Sequence, residues 1–197
     1  MKRFKGTKGF ICLIVVILLI VGYYYYLSNR SAAVKQEETV EISAVQEVLL
    51  RDLDISYPPT PKEVIKYYCE LTKVIHNEEV TEEELQALAM KIQELYDAEL
   101  AANKSEEDYL LDLKSEITTF KDNGYVISNY STSASTDVEY FEADGFSFAK
   151  LYGSYYIRVN TSMQTLEEVF LLRKDDIGHW KIYGSQPVVE QETNGEE

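Results

Sequence analysis

The sequence has few of the residues that carry most metal and nucleophile chemistry. Its 197 residues include two cysteines, two histidines and one tryptophan. Cys12 lies in an apolar run, which leaves Cys69 alone in the rest of the chain and excludes an intradomain disulfide. We expect Cys69 to be a small buried residue on a helix, with an intermolecular disulfide as the alternative. The fold must then depend on a packed core.

Neither histidine lies in a recognisable catalytic or metal-binding motif. His76 is expected on the surface near the end of a helix, and His179 is expected to point away from the face that Trp180 occupies. The acidic pairs lack the spacing of a calcium loop, and no Gly-x-Ser-x-Gly, phosphate loop or His-Glu-x-x-His is present. The sequence therefore predicts no metal, no cofactor and no catalytic residue.

Positive charge is scarce, with 19 Lys and Arg against 34 Asp and Glu, for a formal net charge of -15. The first nine residues are the exception, because they contain basic residues and no acidic one: Lys2, Arg3, Lys5 and Lys8. The acidic remainder repels phosphate backbones, so nucleic acid is not an expected partner.

An uncharged run covers residues 10–27 and, at about 1.5 Å per residue, is long enough to cross a membrane. Its basic flank, residues 1–9, and the tyrosines at 23–26 predict a single-pass helix with a cytoplasmic N-terminus. The predicted location is the cell membrane, with the rest of the chain outside the cytoplasm. The alternative is a cleaved signal peptide ending at Ala33, which the length of the run disfavours.

The remaining chain divides by composition into three parts. Residues 28–59 are polar and acidic, which indicates a stalk that can contain a short helix in its weakly amphipathic stretch at 40–53. Residues 60–186 have the periodic apolar patterns of a folded domain, and residues 187–197 form an acidic tail expected to be disordered.

Three helices are predicted by their capping residues. Each begins with a hydroxyl residue three positions before a carboxylate, and apolar residues then recur at helical spacing. The pairs are Thr60 and Glu63, Thr81 and Glu84, and Ser105 and Asp108. Asn77 and Gly124 are expected to end the first and third helices.

After Gly124 the composition favours strands, because β-branched and aromatic residues alternate between short turn signals. Turns are expected at 143–145, 153–154 and 175–178. The six predicted strands cover 125–133, 137–141, 146–152, 155–162, 165–174 and 179–184. The predicted fold class is α+β, with three helices packed on a curved antiparallel sheet.

The order of these elements and the last hairpin, Val169–Asp176 turning into Gly178–Ile182, resemble the nuclear transport factor 2-like superfamily, also called cystatin-like cone or SnoaL-like domains. The resemblance covers residues 60–186 and implies a cone-shaped sheet with an apolar pocket. Enzymes of this superfamily place an aspartate with tyrosines in the cone. No aspartate here matches that pattern, and the sheet tyrosines are equal candidates: Tyr125, Tyr130, Tyr140, Tyr152, Tyr155, Tyr156 and Tyr183.

One face of the sheet is expected to pack on the helices and to line any cavity. Its candidate residues are Phe146, Phe148, Phe170, Leu172, Trp180 and Ile182.

The expected function is a membrane-anchored interaction or scaffold module without catalytic activity. It would bind an envelope protein in an envelope, secretion or conjugation assembly. The alternative is a small-molecule-binding or weakly catalytic pocket domain. A cavity of about 300 Å³ or more with convergent polar groups would favour the alternative.

Overall fold

The computed structural model describes residues 20, 21, 23–25 and 42–188. The chain divides into two units, residues 1–41 and 42–197. In the first unit the described residues are helical, and their side chains are exposed. The second unit contains the α+β fold.

The structure corrects the expectation of a membrane anchor. Among the described residues, none of the helices combines the length and the apolar character that crossing a membrane requires. This finding goes against the predicted span at 10–27, and with it the predicted cell-membrane location and orientation. Most of that range, together with residues 1–9 and 28–41, lies outside the described residues.

The three predicted helices are confirmed. The hydroxyl of Thr60 accepts a hydrogen bond from the amide of Glu63 at 3.3 Å, and the capping box of Thr81 and Glu84 is complete. The Ser105 hydroxyl accepts from the amide of Asp108 in the same way. Within residues 42–188 the helices are α1 (Ala44–Leu49), α2 (Pro61–Asn77), α3 (Glu82–Gln93), α4 (Ala98–Ala101) and α5 (Glu106–Asp122).

Part of the predicted stalk belongs to the folded unit. Val45 and Val48 lie three positions apart on one face of α1, and both are buried in the core. The Tyr67 hydroxyl on α2 donates a hydrogen bond to the carbonyl of Val48 at 2.7 Å. The stalk prediction therefore does not hold for residues 42–59, where a weakly amphipathic pattern was enough to build a core-facing helix.

The strands form one antiparallel sheet in the order β1–β3–β4–β5. The longest strand, β3, pairs with β4 along one edge, and its other edge is shared by β1 and β2. Irregular register in the β1–β3 and β4–β5 pairs adds to the bending of the sheet. The strands are β1 (Tyr125–Thr132), β2 (Glu139–Ala143), β3 (Phe146–Val159), β4 (Ser162–Lys174) and β5 (Trp180–Pro187).

The turn predicted at Gly153 is wrong, because β3 runs through this position without a break. A Cβ atom on Gly153 would lie 2.9 Å from Cε2 of Phe170 and 3.5 Å from Cγ2 of Ile65. The glycine therefore leaves room for the ring of Phe170 on the neighbouring strand β4, and it marks no turn. The chain reverses instead at Asn160–Thr161, where Asn160 has a φ of 53°.

The core lies between α2 and the inner face of the sheet. From α2 it receives Val64, Ile65 and Cys69, which are fully buried. From the sheet it receives Ala149, Leu151, Phe170, Leu172 and Ile182. The α+β class with helices on a curved antiparallel sheet is thus the observed fold. Pro187 ends β5 and Val188 donates to Glu167, while residues 189–197 lie outside the described residues.

Candidate functional site

A cleft lined by tyrosines opens between α2, α4, α5 and β5. It consists of two adjoining cavities, an inner one of about 150 Å³ and an outer one of about 340 Å³. Both cavities are lined by Tyr68, Tyr96, Lys104 and Tyr109, and we call them together the tyrosine cleft.

The three tyrosines reach the cleft from three different elements. Tyr68 lies on α2 with its ring centroid 5.5 Å from that of Phe170, and Tyr109 lies in the first turns of α5. Tyr96 lies in the α3–α4 connection, which pairs with the edge strand β5. There the amide of Ile182 donates to the carbonyl of Leu95 at 2.8 Å. This pairing holds Tyr96 between Tyr68 and Tyr109, in contact with both rings.

The rings meet at steep angles. The centroids of Tyr68 and Tyr96 are 6.3 Å apart with an interplanar angle of 43°, and those of Tyr96 and Tyr109 are 6.3 Å apart at 85°. Burial raises the pKa of all three phenols well above the usual value of 10. The cleft wall therefore presents neutral hydroxyl groups and aromatic faces at any physiological pH.

The inner cavity contains a histidine–carboxylate pair. His76, which is only 5% exposed, donates from Nδ1 to the carbonyl of Thr72 at 2.8 Å. Its Nε2 lies 3.3 Å from Oε1 of Glu116. The hydrogen bond with His76, followed by the charge of that ring, lowers the pKa of Glu116. The expectation of a surface histidine is therefore wrong, because the helix end that holds His76 is covered by α5.

A second carboxylate faces the same side of the sheet. Glu168 is two residues before buried Phe170 on β4, so both side chains point to the inner face. Burial, followed by the charge of Glu116, raises the pKa of Glu168. Among the described residues no side chain or backbone group donates a hydrogen bond to this carboxylate.

A buried hydroxyl beside the cleft has no partner. Tyr155 is 4% exposed, and its Oη makes no hydrogen bond within the described part of the chain. Burial, with the nearby thiol of Cys69, raises the pKa of this phenol well above 10. Such orphaned groups are rare in folded proteins and need an explanation.

The family of the chain is shown by sequence comparison. Residues 1–184 match the family model described as Domain of unknown function (DUF6715). The chain belongs to this family. The DUF6715 match contains all the tyrosines of the cleft and both carboxylates described above. No curated protein matches the chain.

Within this DUF6715 domain, four of the six residues expected to line one sheet face lie on the inner face. Phe170 and Leu172 are fully buried, and Trp180 is 9% exposed. Ile182 is also buried and contributes to the outer cavity of the tyrosine cleft.

Phe146 and Phe148 differ from that expectation, because they lie on the outer face. The inward positions of β3 are those of Ala149 and Leu151, so the even-numbered neighbours point outward. Phe146 is 43% exposed, and the ring of Phe148 stacks on Phe141 at 5.5 Å.

The residues that line the cleft most closely were missed by sequence reasoning. Tyr68 fits the apolar face of α2 and reads as a core residue, while Tyr96 and Tyr109 belong to no motif. With 16 tyrosines in the chain, composition alone selects none of them. Only the folding of three separate elements brings these DUF6715 side chains together.

The described residues offer no set of metal ligands. Within residues 42–188 no group of three or more His, Cys, Asp or Glu side chains is arranged to hold a metal ion. The carboxylate of Asp52 accepts hydrogen bonds from the amides of Asp54 and Ile55, which is a local turn. The carboxylate of Asp175 acts in the same way in the last hairpin.

Proposed function

We propose that residues 42–188 form a small-molecule-binding domain and that the tyrosine cleft holds the ligand. The observation that carries the proposal is the 340 Å³ outer cavity, which opens onto the same tyrosines as the polar inner cavity. Ligand sites are typically concave, mostly apolar, and supplied with a few polar groups that fix orientation. The cleft has these three properties.

Binding without catalysis fits the histidine–carboxylate pair. Both nitrogens of His76 face acceptors, the carbonyl of Thr72 and the carboxylate of Glu116. No ring nitrogen is left to take a proton from a bound molecule. Glu116 has a lowered pKa, which makes it a weak base. We therefore propose that His76 and Glu116 contribute to the shape and charge of the site and take no part in proton transfer.

We also propose that the domain has the nuclear transport factor 2-like cone architecture. The long helix α2 packs on the inner face of a bent antiparallel sheet, and the cleft opens beside that helix. This arrangement supports the proposal, since a cone-shaped sheet closed on one side by helices leaves a cavity at its open end.

The interaction-module alternative depends on a different surface. Phe141 and Phe146 are each 43% exposed on the outer face of the sheet, near Phe148 and Tyr183. Exposed aromatic groups of this kind are enriched in protein interfaces. Protein binding at this face stays a prediction.

A fragment screen on the full chain tests the proposed ligand site. Amide shifts in ¹H–¹⁵N spectra should change together at Tyr68, Tyr96 and Tyr109 for the fragments that bind. Ala101→Trp should remove these changes, because Ala101 lines the outer cavity. Ala102→Trp is the matched control, since Ala102 is exposed and lies outside the cleft lining. Binding that avoids the three tyrosines, or that survives Ala101→Trp, would contradict the proposal.

A further inference from the structure

Building on the proposed function, we propose that the ligand of the tyrosine cleft is a peptide in an extended conformation. Its main chain pairs with the open edge of β5 at Ser185. The peptide residue opposite Ser185 places an apolar side chain in the outer cavity. The direction of the backbone groups of β5, and the position of the cavity beside them, carry this proposal.

The main-chain groups of Ser185 point away from the sheet. In an antiparallel pair, residues that exchange hydrogen bonds alternate with residues that do not. The amide of Val188 donates to the carbonyl of Glu167 at 2.8 Å, so these two residues form a hydrogen-bonded pair. Three positions back along the register, Ser185 lies opposite Phe170 in a pair that is not hydrogen-bonded. The N–H and C=O of Ser185 therefore face the side of β5 that is opposite to β4.

That side of β5 is already paired with a main chain at one position. Ile182 donates to the carbonyl of Leu95 and accepts from the amide of Asp97, each at 2.8 Å, which is the pattern of a parallel strand. The chain then turns away into α4. Within residues 42–188, neither main-chain group of Ser185 has a hydrogen-bond partner. The edge of β5 is thus covered at Ile182 and open at Ser185.

The side chains at this open edge leave room for an added strand. Gly184 has no side chain, and Ser185 has a short one and is exposed. Sheet edges are commonly blocked by long charged side chains or by proline. Pro187 lacks an N–H and limits further pairing two residues later. The open site is therefore short, which suits a few residues of extended peptide better than a long strand.

The outer cavity of about 340 Å³ lies against the same edge. Ile182 and Ser185 line it together with Leu100 and Ala101 of α4. Residues that lie directly opposite each other in a sheet point their side chains to the same face. Ser185 lies opposite Phe170, whose side chain is on the inner face, so a peptide residue paired with Ser185 also points inward. Its side chain would then enter the cavity.

The lining of the cavity indicates an apolar side chain. Tyr96, Leu100 and Ile182 supply apolar surface, and Lys104 of the lining already forms an ion pair with Asp112. A charged side chain would lose its hydration there without gaining a partner. In recognition by strand addition, main-chain hydrogen bonds provide affinity and a side-chain pocket provides specificity. The edge and the cavity supply these two elements side by side.

Hydrogen exchange of the full chain without peptide tests whether the edge is open. The amide of Gln186 belongs to a hydrogen-bonded pair with Val169 and should exchange slowly. The neighbouring amide of Ser185 should exchange rapidly. Slow exchange of Ser185 would overturn the proposal, because another part of the chain or a second copy would then already cover the edge.

The binding test uses the peptide acetyl-Thr-Leu-Thr-amide at millimolar concentration. It should shift the amide signals of Ser185 and Tyr96 together and should slow the exchange of the Ser185 amide. Methylation of the peptide nitrogens of Leu and of the following Thr removes the donor to the Ser185 carbonyl in either strand direction. This analogue should bind about three- to tenfold more weakly. A peptide with Ala in place of Leu should bind at least about tenfold more weakly, because it leaves the cavity unfilled.

Two variants of the protein provide the matched comparison. Ser185→Pro removes the N–H and should weaken binding of the peptide at least about threefold. This N–H faces no strand, so the ladder with β4 is kept. Ser185→Ala removes only the hydroxyl and should bind the peptide as the wild type does. Thermal unfolding reports whether each variant is folded, and the methylated peptide tests the same hydrogen bond in the wild-type protein.

The outcomes separate this inference from the proposed function. Equal binding of the peptide and its methylated analogue would overturn the assignment to the β5 edge, and so would peptide binding that Ser185→Pro leaves unchanged. Absence of peptide binding, with fragments from the screen still bound at the tyrosines, would overturn the peptide and leave the ligand site in place. Absence of both would overturn the proposed function as well.

Discussion

The guanidinium of Arg173 holds the carboxylate of Asp97 through two hydrogen bonds, Nε to Oδ2 at 2.9 Å and Nη2 to Oδ1 at 2.6 Å. A third bond joins Nη1 to Glu99 at 2.8 Å, and these bonds raise the pKa of Arg173. The ring of Tyr183 lies 4.7 Å below the guanidinium. Asp97 follows Tyr96 directly, so this ion pair anchors the segment that supplies the middle ring of the tyrosine cleft.

Arg173→Ala should destabilise the protein by about 2 to 3 kcal/mol, because it leaves Asp97 buried without its charged donor. Denaturant titration of the full chain measures the loss. Arg158→Ala, on the exposed end of β3, is the control and should change the free energy of unfolding by less than about 0.5 kcal/mol. A change in the free energy of unfolding that is equally small for both variants would show that the ion pair does not stabilise the fold.

Trp180→Ala should be one of the most damaging single changes in the domain. Its side chain is 9% exposed on the inner face, and its ring lies 5.7 Å from that of Tyr140. Removing a buried tryptophan costs about 3 to 5 kcal/mol, and chemical denaturation would report this as a lower midpoint. Ile177→Ala is the comparison, since Ile177 is 77% exposed. A shift under about 0.5 kcal/mol for Trp180→Ala would contradict the described packing.

Glu168→Gln should stabilise the unliganded protein at neutral pH. The raised pKa of Glu168 means that its protonated form is favoured in the folded state, by burial and by the charge of Glu116. The stabilising contribution of this proton is complete below the unfolded pKa of about 4.3 and is lost as the pH rises through the folded value. The neighbouring groups on the inner face are Tyr68, Cys69 and Tyr155, which are neutral over this range.

The measurement is the free energy of unfolding of wild type and Glu168→Gln between pH 7 and pH 4. The advantage of the variant should be present at pH 7 and vanish near pH 4. Glu167→Gln, the exposed neighbour on the outer face, should show no such difference. A variant less stable than wild type at pH 7 would mean that Glu168 has a stabilising partner.

Gly153→Ala should destabilise the domain by about 1 to 3 kcal/mol, because the new methyl group would overlap the ring of Phe170. Gly184→Ala is a matched change in β5, where a Cβ atom would meet nothing within 4 Å. Thermal unfolding of both variants provides the comparison. Equal melting temperatures would contradict the close packing of the Phe170 ring over Gly153.

The thiol of Cys69 should be unreactive in the folded protein. Burial raises its pKa to about 12, so almost no thiolate is present at neutral pH. In a Cys12→Ser chain, a thiol reagent should label Cys69 only after denaturant is added, at the rate of unfolding. Rapid labelling under native conditions would show that the inner face is open to solvent at this position.

The helices could be predicted from the sequence because their signals are local. A hydroxyl at Thr81 and a carboxylate at Glu84 satisfy each other's backbone groups within one turn, whatever the rest of the chain does. The same holds for the turn at Asp144–Gly145, where both residues have a positive φ. The strands were placed less well, because the false turn at Gly153 divides β3 in two and the predicted strand 155–162 runs across the turn at Asn160–Thr161.

The positions that could not be predicted depend on what lies across the core. Gly153 resembles a turn residue in the sequence, and only the approach of Ile65 and Phe170 explains it. His76 looks like an exposed residue at a helix end until α5 covers it with Glu116. Contacts between residues that are distant in the chain cannot be inferred from a local sequence pattern.

The sequence by itself determined the α+β class, the three capped helices and the shortage of metal and nucleophile chemistry, since each follows from residue type and short-range spacing. The tertiary structure alone decided that α1 belongs to the core and that Tyr68, Tyr96 and Tyr109 line one cleft. The reason is that a cleft is a property of the space between elements. Tyr96 reaches it only because the α3–α4 connection pairs with β5 and Asp97 is held by Arg173.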